Sequence, residues 1–220
     1  MNELLEKQHA WIQWVMLIDS WKDWPILWIS ACTHGWETVW LDVIDFLLDQ
    51  VKIENSIKKW KIYFILSNIK AYQKSLELKE SWNPDYIINA RYLDENMNRC
   101  CSVEFLDNPI SYERQRANEL TDILKNLDYH FDIHSTMNPS WSMLIHTEKS
   151  ANRFGDIFNT DEVYIKLPET VVGKPFVDIT QRNGWIGIGI ETWNQTNTEW
   201  YKVWVAVSYT HLTLPTNREV

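Results

Sequence analysis

Four short strand-like segments, each leading into polar or ionisable residues, constrain this 220-residue chain more than any other feature. Ile26 to Ala31 stops at a tight turn holding His34 and Glu37. Lys61 to Ser67 is rich in Ile, Tyr and Phe. Tyr129 to His134 and Ile186 to Glu191 each end on an ionisable side chain. Runs of this length and composition predict buried strands. Between them the apolar period becomes helical. Val39, Val43, Phe46 and Leu47, with Leu41, Ile44 and Leu48 widening the stripe, predict an amphipathic helix over 38–51. A second helix is predicted over 111–127, with Arg114, Arg116, Glu119, Asp122 and Lys125 on its wet side. Residues 68–99 read as a polar loop, and the segment up to Ser20 as an unplaced helix or strand. Strands alternating with helices at these lengths predict an α/β layer fold.

Charge and apolar content narrow the function classes. A net charge of -9 and a pI near 5.1 argue against a nucleic-acid surface or an anionic membrane as partner. The hydrophobic share of 45% supports one domain with a sizeable core. The N-terminal MNELLEKQHA is polar and mixed in charge, unlike a secretory leader. Apolar runs such as 62–66 are far short of the roughly 20 residues that span a bilayer. Cys32, Cys100 and Cys101 are odd in number and lack zinc-ribbon spacing, which predicts reduced thiols and a cytoplasmic location.

Tryptophan and glycine are out of proportion. The chain has 14 Trp and 6 Gly, against roughly 15 Gly for average usage at this length. Trp21 and Trp24 precede Pro25, Trp82 precedes Asn83 and Pro84, Trp141 follows Asn138-Pro139-Ser140, and Trp193 lies in ETWNQT. Glycine is expected in such contexts and an indole is not. The expectation is that most of these tryptophans stand for glycines, through a UGA codon that the source organism reads as glycine. The alternative, an aromatic carbohydrate binder, would gather its tryptophans on one face, whereas these scatter from 11 to 204.

Four short constellations carry candidate chemistry. His34 and Glu37, three apart in a strand-end turn, can offer two ligands to one divalent metal. In FDIHST, strand alternation puts His130, Asp132 and His134 on one face, with His134 at the strand's end as a third ligand. Two histidines and a glutamate are a catalytic zinc set that leaves a position for water. Asp132 is expected to hold a histidine's far nitrogen or another local group, and His130 to be a packed or exposed histidine rather than a ligand. Arg91 and Arg99, with Asn98 between them, form a candidate anion clamp in RYLDENMNR, because guanidinium forks bind carboxylates bidentately. Glu191 closes the apolar run GIGI, where burial would raise its pKa toward that of a general base.

Taken in order, HGxE, R-x-x-D-x-x-x-N-R, D-x-H-S-T and I-E-x-x-x-Q resemble the succinylglutamate desuccinylase/aspartoacylase family over about residues 20–206. The resemblance implies a zinc carboxypeptidase-like α/β/α fold with a mixed central sheet, and one Zn2+ per chain held by His34, Glu37 and His134. It implies that Arg91 polarises the scissile carbonyl, that Asn98 and Arg99 grip a substrate carboxylate, and that Glu191 activates water and protonates the leaving amine. The expected reaction is hydrolysis of a small anionic N-acyl amino acid. A zinc carboxypeptidase acting on a peptide or peptidoglycan stem is the enzymatic alternative, and a non-catalytic binding domain on the same fold is the other.

The sequence departs from the family pattern at three places. Asn96 stands where the family often has aspartate, so a local hydrogen bond is expected to differ. Cys100 and Cys101 follow the Asn98-Arg99 pair, where they are expected to pack. Finally, 208–220 (SYTHLTLPTNREV) is Thr-rich and resembles translated vector or adapter sequence. The expected organisation is a C-terminally truncated catalytic domain over 1–207 and a non-native tail over 208–220, with an ordinary C-terminal strand as the alternative for the tail.

Overall fold

The computed structural model describes residues 8–9, 12–19, 25–38, 41–42, 44–45, 61–137, 143–146, 161–164 and 173–194. The predicted 38–51 helix is therefore described only at 38, which is a turn, and at 41–42 and 44–45, where the backbone is helical, and the 208–220 tail lies outside the described residues. The strands are β1 (Gln8–His9), β2 (Ile12–Gln13), β3 (Val15–Asp19), β4 (Ile26–Ala31), β5 (Lys61–Leu66), β6 (Tyr129–Thr136), β7 (Met143–His146), β8 (Asp161–Tyr164) and β9 (Ile186–Asn194). The helices are α1 (Ile69–Glu80), α2 (Tyr86–Asn89), α3 (Val103–Asp107), α4 (Tyr112–Leu124) and α5 (Asp178–Arg182), with a 3₁₀ turn at Met97–Arg99. Among the described residues no helix is long and apolar enough to cross a membrane.

A seven-stranded sheet in the order β3-β5-β4-β6-β9-β7-β8 forms the middle layer. Its four central strands, β5, β4, β6 and β9, are parallel and correspond to the four predicted strands. β3 is antiparallel at one edge, while β7 runs antiparallel to β9 and pairs in parallel with β8. Parallel strands covered on both faces need apolar residues at successive positions, and Leu27 to Ala31 are all buried. Leu27, Ile29 and Ala31 share one face with Ile62, Phe64 and Leu66, packing on Ile69 and Tyr72 of α1 and on Leu41 and Ile44. Trp28 and Ile65 point the other way, against Ala117, Leu120 and Leu124 of α4 and Phe176 and Ile179. The result is the α/β/α layering the resemblance implies.

Two expectations need correction. Residues 68–99 are not one loop, since α1 runs for twelve residues inside them. Ile69, Tyr72 and Leu76 recur at intervals of three and four, and the Asn68 side chain accepts the N–H of Ala71 as an N-cap at 3.2 Å. The abundance of Lys, Glu and Gln masked that stripe, although these are strong helix formers. On α4 the boundaries agree, with Ser111 as N-cap, but Arg116 is not on the wet side. It is buried and donates to the carbonyls of Gln13, Leu66 and Ser67, tying the helix to the end of β5.

The connection after β4 leads to β5 on one side, and the chain later returns to β6 on β4's other side. The crevice between the carboxyl ends of β4 and β6 is thus a topological switch point, where open α/β sheets place their ligands. His34, Glu37 and His134 all lie there.

Candidate metal centre and active site

The turn after β4 is shaped by backbone constraints. Cys32 takes φ +55, bending the chain off the strand, and the N–H of Glu37 donates to the carbonyl of His34 at 3.1 Å. Between them, Gly35 lies against other backbone, and a Cβ there would meet the Ala71 carbonyl carbon at 2.2 Å and the Ala90 oxygen at 2.6 Å. Only glycine fits that approach. The N–H of Gly35 also donates to the carbonyl of Arg91 at 3.2 Å, tying the turn to the Arg91–Arg99 loop.

His34, Glu37 and His134 are each at most 5% exposed, and one donor atom from each lies within 4.8 Å of the others. Nδ1 of His34 is 2.8 Å from one Glu37 oxygen, and Nδ1 of His134 is 2.9 Å from the other. Each ring's far nitrogen has its own acceptor. Nε2 of His134 faces Asp132 Oδ2 at 2.8 Å, and Nε2 of His34 faces Asn96 Oδ1 at 3.2 Å. Asn96 Oδ1 also accepts the N–H of Asn98, and this is the local hydrogen bond at the departure from the family pattern.

Asp132 is held in turn by Ser30 and Thr33, whose hydroxyls both donate to Oδ1 at 2.7 Å. Burial alone would raise the Asp132 carboxyl, but the His134 imidazole, with His130 and the Thr33 hydroxyl, outweighs it and holds the pKa down at about 2. Burial likewise opposes ionisation of Glu37, and His34 with His134 outweigh it and lower its pKa. For His134 burial disfavours the charged ring, yet Asp132 and Glu37 together raise its pKa well above the ordinary histidine value. Two ionised carboxylates with so little water demand positive charge between them.

Glu191 lies on β9 directly opposite His134 in the parallel register. It is half-buried, and its carboxyl is raised above the usual range, first by burial. The charge of Glu37 adds to that shift, and His134 and His34 oppose it. The Asn98 side-chain nitrogen lies 3.1 Å from Nε2 of His134, a contact rather than a hydrogen bond when that nitrogen carries the proton directed at Asp132, while its oxygen accepts the N–H of Phe176 at 3.0 Å. The described geometry thus gathers His34, Glu37, His134, Asn98 and Glu191. Arg91 is half-buried next to the turn through its carbonyl. Arg99 is exposed, with its guanidinium turned back on the Asn98 carbonyl at 2.6 Å.

Residues 23–154 match the succinylglutamate desuccinylase/aspartoacylase catalytic domain. The chain belongs to that family. A succinylglutamate desuccinylase of Photorhabdus laumondii is 27% identical over 123 residues, which are 51% of this chain and 34% of that protein. The crystal structure of a succinylglutamate desuccinylase from Chromobacterium violaceum superposes with a TM-score of 0.68 at 14% identity, covering 93% of this chain and 66% of that one. Murine aminoacylase 3 gives a TM-score of 0.61 at 18% identity, covering 86% and 63%. The chain therefore spans about a third of the curated relative and about two thirds of these structures, and the structural likeness establishes the fold.

The family's matched region takes in the three metal-binding candidates and the Arg91–Arg99 loop, while Glu191 lies beyond it. The donor set fits a divalent cation. With Nε2–H directed at Asp132 and Asn96, each ring would turn an Nδ1 lone pair toward the Glu37 carboxylate, an arrangement a cation relieves and neutral groups do not. A ligating histidine whose other nitrogen is held by a carboxylate is a recurrent support for metal ligands. His130 is buried, the packed one of the two outcomes expected for it. Cys100 and Cys101 are buried as well.

Some supports of the site were not read from sequence. Ser30 and Thr33 sit inside the first apolar run and its turn, where a hydroxyl is otherwise unremarked. Gly173 has φ +89, and a Cβ on it would lie 1.7 Å from the Arg99 carbonyl oxygen. Only its being one of six glycines in a glycine-poor chain signals it.

Proposed function

We propose that this chain is the catalytic part of a zinc-dependent hydrolase that cleaves the amide bond of a small anionic N-acyl amino acid. The observation that carries the proposal is the buried His34–Glu37–His134 cluster with Glu191 opposite His134. Zinc held by these three side chains would supply Lewis acidity, polarising the amide carbonyl and lowering the pKa of a water. Glu191, with a carboxyl raised by burial, is suited to take a proton from that water and deliver it to the departing amine nitrogen. Arg91 would donate to the carbonyl oxygen as charge develops on it. Asn98 and Arg99 would hold the substrate carboxylate, Arg99 by swinging off its own backbone. Asp132 keeps the His134 ring oriented. The three free, buried cysteines are consistent with a reducing, cytoplasmic location.

The deciding experiment pairs zinc content, measured by elemental analysis, with turnover on a panel of N-acyl amino acids and short peptides. Zinc near one per chain with turnover of acyl amino acids is the expected result. Turnover of peptides alone would replace the reading with a carboxypeptidase, and stoichiometric zinc without turnover would make the chain a binding domain.

We also propose that many of the written tryptophans are glycines in the organism's own protein. Trp14 and Trp82 hold φ of +61 and +54, a region that bulky side chains avoid and glycine enters freely. The indole N–H of Trp28 is fully buried without a hydrogen-bond acceptor, a cost that glycine would not incur. Codons at these positions that read UGA, with glycine in the native peptides by mass spectrometry, are expected. UGG codons would overturn the proposal.

A further inference from the structure

Glu113, the second residue of α4, is completely buried. Its charge is met by four neutral donors. Oε1 accepts the N–H of Leu93 at 2.6 Å and the side-chain amide of Asn68 at 3.1 Å. Oε2 accepts the N–H groups of Asp94 and Glu95 at 3.1 and 3.3 Å. Three successive backbone N–H groups are thus folded round one carboxylate, as in the backbone cradles that bind anions. They lie midway along the Arg91–Arg99 loop.

The same hydrogen bonds close a circuit. Asn68 donates its own N–H to the carbonyl of Cys32 at 3.2 Å, at the base of the turn that carries His34 and Glu37. That turn's Gly35 donates to Arg91, at the head of the loop. The loop returns to Glu113 through Leu93, Asp94 and Glu95. Glu113 therefore sits where the turn, the start of α1 and the loop are joined, though it touches no metal-binding candidate itself. A buried carboxylate is costly unless every lone pair is used. Here every recorded partner serves to fix the loop or the helix cap beside the turn.

We propose that Glu113 is a positioning residue that sets the register of the Arg91–Arg99 loop against the metal turn, and so fixes affinity for the carboxylate of the substrate. The proposal rests on the hydrolase reading for its substrate, and its test separates the two. In the full chain, Glu113→Gln keeps the size but replaces one acceptor oxygen with a donor facing two N–H groups. Amide exchange at Leu93, Asp94 and Glu95 should accelerate by about tenfold or more, while the amides of β4, β6 and β9 stay protected and zinc stoichiometry is unchanged. The KM for an N-acyl amino acid should rise by about tenfold with kcat within about threefold, because ground-state gripping of a carboxylate is what a loosened loop loses.

Succinate binding by calorimetry reports on the same clamp without turnover, and should weaken in parallel. If the unaltered protein binds zinc and succinate but hydrolyses nothing, the hydrolase reading fails, and the succinate comparison still decides the role of Glu113. Faster exchange with unchanged KM and succinate affinity would make Glu113 purely structural and overturn the proposal. So would unchanged exchange, or no succinate binding by either protein. Should the Gln variant not fold, Glu113→Asp keeps the charge but falls one methylene short. It must then shift exchange and succinate affinity in the same direction by a smaller factor, and wild-type values would overturn the proposal.

Discussion

Glu191 and His134 are register partners on adjacent parallel strands, so the candidate base and a candidate metal ligand are held side by side by backbone hydrogen bonding rather than by a loop. That rigidity lets their roles be separated by mutation. Glu191→Gln should retain zinc and lose turnover by about 10²- to 10⁴-fold, the usual contribution of a positioned general base. His134→Ala should instead lose tight zinc binding. Elemental analysis beside turnover distinguishes them, and equal metal loss in both would remove Glu191 from the role of base.

Asp132 accepts hydroxyls from Ser30 and Thr33 on one oxygen and faces Nε2 of His134 with the other. Asp132→Asn keeps the shape but places a competing N–H group or a weaker acceptor at that nitrogen. Zinc affinity, titrated against a competing chelator, should fall by about 10- to 100-fold, as for other carboxylates behind metal-binding histidines. Unchanged affinity would show that Asp132 does not orient the ring.

The legible parts of this protein are those where side-chain chemistry and period coincide. β4, β5 and β9 announced themselves because a strand covered on both faces is largely apolar, and β6 because Tyr129, Phe131 and Ile133 alternate with His130, Asp132 and His134. His34, Glu37 and His134 could be read as one candidate set because each lies at or just after a strand end and the motifs that carry them follow a recognisable order along the chain. α1 was not, because its stripe is only Ile69, Tyr72 and Leu76 among charged residues. The edge strand β8 carries a mixed sequence, DEVY, that pattern alone does not mark. Arg116 was misplaced because a helical period alone cannot tell an exposed arginine from one whose donors meet three backbone carbonyls. Glu113 was hidden for a related reason, since three of its four partners are backbone N–H groups, which leave no trace in side-chain identities.

His130 makes stability depend on pH in a defined direction. Its ring is fully buried, with Ser30 Oγ 2.9 Å from Nε2 and Thr180 Oγ1 3.2 Å from Nδ1, and Phe176 packs edge-on against it. Burial lowers its pKa to about 4; Asp132 opposes the shift and His134 adds to it. As pH falls below about 6.5, the unfolded chain takes up a proton that the folded chain refuses until about pH 4, so the contribution is complete above the first value and lost across that window. By pH 5 the loss is about 2 kcal/mol by this linkage. Urea unfolding at pH 7.5 and 5, for wild type and His130→Gln in excess chelator, isolates it, because the other titrating groups are common to both. Parallel losses in the two proteins would mean that His130 is not held neutral.

Trp82 gives the sharpest physical test of the written sequence. It follows the end of α1 at φ +54 and is 91% exposed, so its indole gains almost nothing from packing. A left-handed conformation costs a non-glycine residue about 1–2 kcal/mol, and glycine escapes this while adding some entropy to the unfolded chain. Trp82→Gly should therefore stabilise the fold by up to about 1 kcal/mol, read as a higher urea midpoint at constant slope. Trp14→Gly is the informative contrast. Trp14 has the same backbone sign but packs edge-on to Tyr72 with centroids 5.9 Å apart, so relief of strain and loss of packing oppose each other and the midpoint should move less. If Trp82→Gly destabilises the protein, the tryptophan belongs at that turn and the glycine assignment fails there first.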